Sequence, residues 1–190
     1  MTPFVTQVTD LLSLATIAGD ILVFLLFMII LTPLGEIGWG KRFDAFFGRH
    51  AMLLSLIVAA GGVAGSLFYS EYAHFAPCEL CWIQRGLLYT QAVILFLALF
   101  ARKEAHVRKF GAMVQKACLV LSGIGFPVAA YHMYLQFGGG ALVPCSAIGP
   151  SCQYVYFITD GYVTIPTMSL TAFAMILAFM LLRKPGTAAE

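Results

Sequence analysis

The chain has 190 residues, of which 61% are hydrophobic and only 11% charged, against roughly 25% charged residues in an average soluble domain. One soluble domain cannot hide that much apolar surface. With a mean hydropathy of +0.89, the composition excludes a disordered chain, a disulfide-rich secreted miniprotein and a soluble Rossmann or barrel enzyme, and points to a polytopic membrane protein. The net charge of +2, from 11 basic and 9 acidic residues, gives no sign of a nucleic-acid partner; where the charges sit is more informative.

A helix needs about 20 apolar residues to cross about 30 Å of hydrocarbon at 1.5 Å per residue. Five stretches qualify. The first, 12–31, is interrupted only by Asp20. The second, 51–70, carries no charge and contains Gly61, Gly62 and Gly65, which let a neighbouring helix approach closely. The third, fourth and fifth are 82–101, 113–134 and 162–182, and the one long connection is 135–161. No internal repeat or domain boundary interrupts the pattern, so a single membrane domain is expected. The first run has no basic residue ahead of it, no small-residue cleavage pattern behind it, and an apolar core too long for a signal peptide. It also lacks the polar face of a helix lying on a membrane surface. It therefore reads as a true membrane helix.

Basic residues set the expected orientation. Lys41, Arg42 and Arg49 lie between the first two spans, Arg102, Lys103, Arg108, Lys109 and Lys116 between the third and fourth, and Arg183 and Lys184 after the fifth. Ten of the 11 basic residues thus share one side, which the positive-inside rule makes cytoplasmic. The N-terminus, the loop 71–81 and the long loop 135–161 then face outward. Arg85 is the exception, near the outer end of the third span. Tyr154, Tyr156, Phe157 and Tyr162 fit an interfacial aromatic band at the end of the long loop.

Four of the five cysteines fall on the outer side. Cys78 and Cys81 form a C-x-x-C at the entrance to the third span, Cys145 and Cys152 lie in the long loop, and Cys118 lies inside the fourth span as a small apolar residue. An oxidising compartment favours disulfides for the outer four. Two disulfides that merely staple the outer loops are the competing reading. Three features favour redox chemistry instead. A C-x-x-C closes too small a loop to constrain much of the unfolded chain. Its place at the first turn of a helix puts the thiols near unpaired N–H groups, which favours thiolate. Arg85, one turn after Cys81, sets a fixed cation on the same face. An arginine that snorkels to headgroups is the alternative for Arg85.

The segment Pro77-Cys78-Glu79-Leu80-Cys81-Trp82-Ile83-Gln84-Arg85 resembles the P-C-x-L-C-x-x-x-R signature of the DsbB family of membrane disulfide-bond formation proteins. Tyr131–Gln136 and the stretch from Gly161 to Pro166 also look like segments of that family. The resemblance covers roughly 51–182. The six residues between Cys145 and Cys152 make the spacing more similar to the BdbC branch. It implies an all-α integral membrane protein: a four-helix transmembrane bundle of the DsbB type plus one extra N-terminal transmembrane helix. It also implies residence in the bacterial cytoplasmic (inner) membrane, with the active cysteines on the outer face.

The function so implied is that of a thiol:quinone oxidoreductase. Such an enzyme reoxidises a DsbA-like thioredoxin-fold thiol oxidase and passes two electrons to the quinone pool, ubiquinone or menaquinone. Carried over residue by residue, Cys145 takes the partner's attack as a mixed disulfide and Cys152 resolves it. Cys78 exchanges with the loop pair, and Cys81 is the thiolate facing the quinone. Arg85 stabilises that thiolate and the quinone oxygen. His132 lies beside the ring, or is simply a polar residue at a helix end. No metal is implied. A vitamin K epoxide reductase-like enzyme also couples two cysteine pairs to a quinone, but there the loop pair precedes the C-x-x-C. Zinc held by the four outer cysteines is a further alternative.

The orientation is testable without any assay of activity. A membrane-impermeant thiol reagent added from outside should label Thr2→Cys and miss Ala189→Cys; the opposite pattern would invert every assignment of side made from the charges.

Overall fold

A computed structural model describes residues 2–32, 38–100, 107–141 and 150–183. Five helices carry the chain: α1 (Pro3–Leu31), α2 (Gly38–Leu67), α3 (Glu79–Phe100), α4 (Val107–Gln136) and α5 (Ile165–Leu182). A π-helical turn, Phe68–Tyr72, continues α2. All five helices are long and apolar enough to cross a membrane. Among the described residues there are no β-strands, only an isolated bridge between Thr159 and Val163. The protein is therefore an all-α membrane protein.

The helices extend beyond the apolar runs because their ends are capped by local chemistry. Thr2 accepts a hydrogen bond from the Val5 N–H and Pro3 follows it at the first helical position, so α1 starts well before its apolar stretch. Pro166 acts in the same way at the start of α5, behind an extended Thr164. Tyr162 and Val163 thus belong to the connection rather than to the helix.

Helices α2, α3, α4 and α5 close a ring in which each packs against the next, and α1 docks outside the ring, mainly on α5. Leu88 and Leu95 of α3, Val114, Cys118 and Ala129 of α4, and Phe173, Ile176 and Met180 of α5 fill the ring with Ala59 of α2. Helix α5 touches three neighbours and is the most enclosed, with 61% of its span buried. It is accordingly apolar all round. Its second face, Ala178, Phe179 and Leu182, meets Leu26 of α1 and Ala51 of α2.

Polar contacts fix the two ends. At the end away from Cys78, Arg183 donates to the Gly111 carbonyl (3.0 Å) and to Gln115 Oε1 (2.9 Å), while Gln115 donates to the Met180 and Arg183 carbonyls. This locks the start of α4 to the end of α5. Toward the other end, Asp20 of α1 accepts from the Thr171 hydroxyl (2.6 Å) and the Tyr162 hydroxyl (2.7 Å). A carboxylate inside an apolar helix is tolerated because both its oxygens are paired. The Asp20 carboxylate in turn pushes the Tyr162 hydroxyl up to about 12, so the hydroxyl stays a donor.

The closest approach in the ring is at Gly125 of α4, where an added Cβ meets the Phe173 ring at 2.4 Å; at Gly123, two residues away, a Cβ meets nothing within 4 Å. Gly125→Leu should therefore lower the thermal unfolding midpoint in detergent, at a cost of about 1–3 kcal/mol or more. Gly123→Leu should leave it near the parental value. Equal midpoints for the two variants would show that α4 and α5 do not meet through Gly125.

Candidate functional site: a buried Cys-Cys-His cluster beside a cavity

Cys78 precedes the first residue of α3 and Cys81 lies in its first turn. Cys78 is buried and Cys81 partly buried, and their sulfurs are 3.1 Å apart. A disulfide needs about 2.05 Å, so the pair is a dithiol poised to close. From α4, His132 places Nε2 3.5 Å from the Cys78 sulfur. Its other nitrogen, Nδ1, accepts from the Gln84 side-chain amide at 3.0 Å. That bond settles the tautomer: with Nδ1 an acceptor, the ring proton sits on Nε2 and points at sulfur. His132 and Gln84 are both nearly inaccessible from the surface, at 2% and 3% exposure. The hydrogen bond shared with Cys81, and then His132, hold the Cys78 thiol well below the usual thiol range even though burial opposes it.

Cys152 joins this cluster from the other side. It is buried and disulfide-bonded, and it packs with Cys78 and Leu135, flanked by Leu80, Cys81 and Tyr131. The segment carrying Cys152 is held over the cysteines by aromatic stacking. Tyr156 stacks on Phe75 with ring centroids 4.3 Å apart and donates its hydroxyl to the Ala76 carbonyl (2.8 Å). Phe75 stacks in turn on Tyr69, and Gln136 donates to the Tyr154 carbonyl (3.0 Å). Cys145, the other cysteine of the loop pair, lies outside the described residues. Cys118 is buried in the ring core.

Arg85 lies one turn beyond Cys81 on α3. Its guanidinium donates to the Ser66 carbonyl of α2 (2.7 Å) and lies over the Trp82 ring, 5.3 Å from the centroid. Among the described residues it makes no hydrogen bond to sulfur. It is instead fixed at the edge of a cavity of about 240 Å³ that Cys78, Cys81, Gln84 and His132 also line. Away from this polar end the cavity is walled by groups such as Leu12, Val58, Gly61, Met168 and Met175. Gln136 also reaches it, and among the described residues the buried Oε1 of Gln136 has no partner.

The residues singled out from the sequence thus meet at one place, Cys145 excepted. Gln84 and Gln136 were not among them. Gln84 falls three residues after Cys81, on the same face of α3, and Gln136 four after His132 on α4. Those spacings were the available signal.

Three ligand atoms, from Cys78, Cys81 and His132, lie within 4.8 Å of one another and can in principle hold a metal ion. Tetrahedral zinc with bonds of about 2.3 Å would separate two thiolates by about 3.8 Å, against 3.1 Å between these two sulfurs.

Comparison with known proteins agrees with this chemistry. Residues 48–183 match the profile of the family described as disulfide bond formation protein DsbB. The chain belongs to the DsbB family. It is 36% identical to disulfide bond formation protein C of Bacillus subtilis (strain 168) over 132 residues, covering 68% of this chain and 89% of that one. It is 37% identical to a probable disulfide formation protein of Oceanobacillus iheyensis over 146 residues, covering 73% and 92%. A third relative, the SPbeta prophage-derived disulfide bond formation protein B of Bacillus subtilis, is 35% identical over 128 residues, covering 67% and 81%. No solved structure matches the chain significantly. As a DsbB-family member the protein is a membrane disulfide-bond formation protein, and the matched stretch begins within α2, leaving α1 outside it.

The cluster predicts a pH signature. A low Cys78 pKa keeps that sulfur ionised through neutral pH, and ionisation is lost only as acid protonates it. Alkylation of the reduced protein at Cys78 should therefore stay fast at pH 7 and fall off in acid. His132→Ala should move the inflection upward, because the charged sulfur loses its ring N–H donor. Gln84→Ala should move it in the same direction by less, since the ring remains but its tautomer is no longer fixed. Mass spectrometry of alkylated Cys78 across pH reads this directly, and superimposable profiles would detach both side chains from the sulfur.

Proposed function

We propose that the protein is a thiol:quinone oxidoreductase: it reoxidises a DsbA-like thioredoxin-fold thiol oxidase through Cys145 and Cys152 and delivers the electrons through Cys78 and Cys81 to a membrane quinone. The observation that carries this reading is the burial of disulfide-bonded Cys152 in the same cluster as Cys78. Two cysteine pairs that only stapled loops would have no reason to meet.

The exchange balances as follows. A thiolate of the reduced partner attacks Cys145, breaking the Cys145–Cys152 bond and forming a mixed disulfide. The partner's second thiol, rather than Cys152, resolves it, since attack by Cys152 would only return the partner in its reduced form; an oxidised partner and two loop thiols are left. Cys152, already packed on Cys78, attacks that sulfur and breaks the Cys78–Cys81 bond. Cys145 then attacks Cys152, restoring the loop disulfide and expelling Cys78. The low pKa of Cys78 makes it a good leaving thiolate in that step. The product is the Cys78/Cys81 dithiol, the state of the pair in the structure.

The cavity fits an amphipathic acceptor. Its polar end offers the Arg85 cation to a quinone carbonyl and the Gln136 Oε1 acceptor to a hydroxyl of the reduced quinol, and its remaining walls are mainly apolar. A quinone bound there supplies a sink for two electrons and two protons. Arg85 fixes a positive charge where negative charge develops, and its anchors on Ser66 and Trp82 hold it in place beforehand. The dithiol closes to a disulfide as it gives up its two electrons and two protons. The proposed setting is the bacterial cytoplasmic membrane with the cysteine end outward, as the basic residues indicate.

Anaerobic mixing of the purified protein with a reduced thioredoxin-fold dithiol and with ubiquinone or menaquinone analogues, followed by quinone absorbance, tests the reading. Wild-type protein should turn over. Cys145→Ala should lose reaction with the protein dithiol. Arg85→Gln should lower quinone turnover by about 10²-fold, as loss of one preorganised donor typically does, with Arg85→Lys recovering only part. Absence of turnover with every quinone and partner, or stoichiometric zinc in the active sample, would overturn it.

A further inference from the structure

Helix α1 lies outside the stretch shared with the family, which begins at residue 48, yet it supplies a wall of the cavity. Its course relative to α2 is uneven. At the cysteine end Phe4 packs edge-on against Phe68 and Tyr72, with centroids 6.0 and 5.4 Å away, and the Tyr69 hydroxyl donates to Thr9 (3.3 Å). At the opposite end Leu26 is buried against Ala51 of α2 and Phe179 of α5. Between these two closures the helices stand apart, and the space between them is part of the cavity. Leu12, Ala15 and Thr16 line it from α1, and Gly61, Gly62 and Gly65 from α2. At Gly61 an added Cβ meets nothing within 4 Å, whereas at Gly65 it would touch Leu12 at 3.7 Å.

The polar clamps on α1 lie along a different seam. Ser13 donates to Asp160 (2.5 Å) and accepts from Thr159 (3.0 Å), and Asp20 accepts from Tyr162 and Thr171. All these partners belong to α5 or the segment leading into it. Along the cavity the α1–α2 seam is formed by small side chains, and the Thr16 hydroxyl is satisfied within α1 by the Leu12 carbonyl (2.8 Å). The seam is therefore a mainly apolar slot in the same cavity that the redox cysteines line, while the α1–α5 seam is fastened.

We propose that α1 is the selectivity wall of the acceptor pocket, and that Ala15 and Thr16 of α1, which line it together with Gly61 and Gly65 of α2, pass the isoprenoid tail of the quinone through the α1–α2 seam and so favour long-tailed over tailless quinones. The inference rests on the quinone reading above. The polar groups that receive the head lie at one end of the cavity, so a molecule seated there must carry its apolar remainder along the slot. Without α1 that side would open broadly to lipid and tail length would matter little. With α1 clamped on α5, the slot width set by four small residues decides what passes.

The test compares a quinone bearing a long isoprenoid tail with its tailless analogue, both reduced by the wild-type protein and by variants. Ala15→Trp and, from the opposite wall, Gly61→Leu should each lower the ratio of kcat/KM for the long-tailed to the tailless quinone by about tenfold, the scale of one overpacked contact. Leu14→Trp, beside Ala15 on α1 but outside the cavity wall, should leave the ratio at the wild-type value. Two variants on facing walls guard against misfolding of either one, because a folding defect lowers both quinones alike and leaves the ratio unchanged. Ratios equal to wild type in both wall variants, including the case in which the slot merely holds a lipid acyl chain, would overturn the proposal while wild-type turnover keeps the quinone reading intact. Loss of wild-type turnover with both quinones would instead bring down the quinone reading, and this proposal with it.

Discussion

Cys78, Cys152 and Leu135 share one buried cluster, and this contact organises the cysteine end of the molecule. Cysteines from segments 74 residues apart in the chain share that cluster, so both segments must be held in register against the bundle. Leu135 comes from the last turn of α4, Cys78 from the threshold of α3, and Cys152 from the connection that leads into α5. The stack of Tyr69, Phe75 and Tyr156 serves the same contact. It presses the connection down onto the loop before α3 through large aromatic areas whose geometry is specific. Electron transfer between two cysteine pairs by disulfide exchange requires collision of sulfurs, and burial in one cluster makes that collision local.

The same end shows how hydrogen bonds tune a weak acid. Gln84 orients His132, His132 directs its N–H at Cys78, and the neighbouring sulfur adds a further hydrogen bond to the thiolate. Gln84, His132 and Cys78 are buried, which strengthens their hydrogen bonds and makes an unpaired one costly. The ring N–H of His132 and the neighbouring sulfur favour an ionised Cys78 in the reduced pair, which suits its role as leaving group toward the loop cysteines. The proposed Cys81 thiolate facing the acceptor belongs to a different step, the one in which Cys78 is held in a mixed disulfide. Arg85 stands apart from both sulfurs, its charge fixed by the Ser66 carbonyl and the Trp82 face, and faces the cavity instead.

Helix α5 links that chemistry to the membrane domain. Being short and enclosed, it serves as the common neighbour of α1, α2 and α4. Polar groups that are unfavourable in lipid are spent on docking α1 to it: Asp20 reaches Thr171 and Tyr162, and Ser13 reaches Asp160. An aspartate inside an apolar run thus finds a structural use as a clamp, and the cavity acquires a fifth helical wall.

From the sequence alone, the membrane class, the five apolar spans, the four-helix bundle with an extra N-terminal helix and the family were all legible. Hydrocarbon thickness translates directly into run length, and the run from Pro77 to Arg85 is contiguous, so its spacing carries the C-x-x-C and the arginine on one helical face. The helix ends were less legible because caps such as Thr2 with Pro3 and Thr164 with Pro166 extend or trim a helix independently of hydropathy. Only the tertiary structure decided that Gln84 holds His132, that Cys152 lies buried with Cys78, and that α1 walls the cavity. Each depends on side chains from separate helices, and for helices that are apolar all round no periodicity in the sequence tells which faces meet. Asp20 illustrates the difference: its cost in lipid was visible from the sequence, but its partners, Tyr162 and Thr171, were set by how α1 packs on α5.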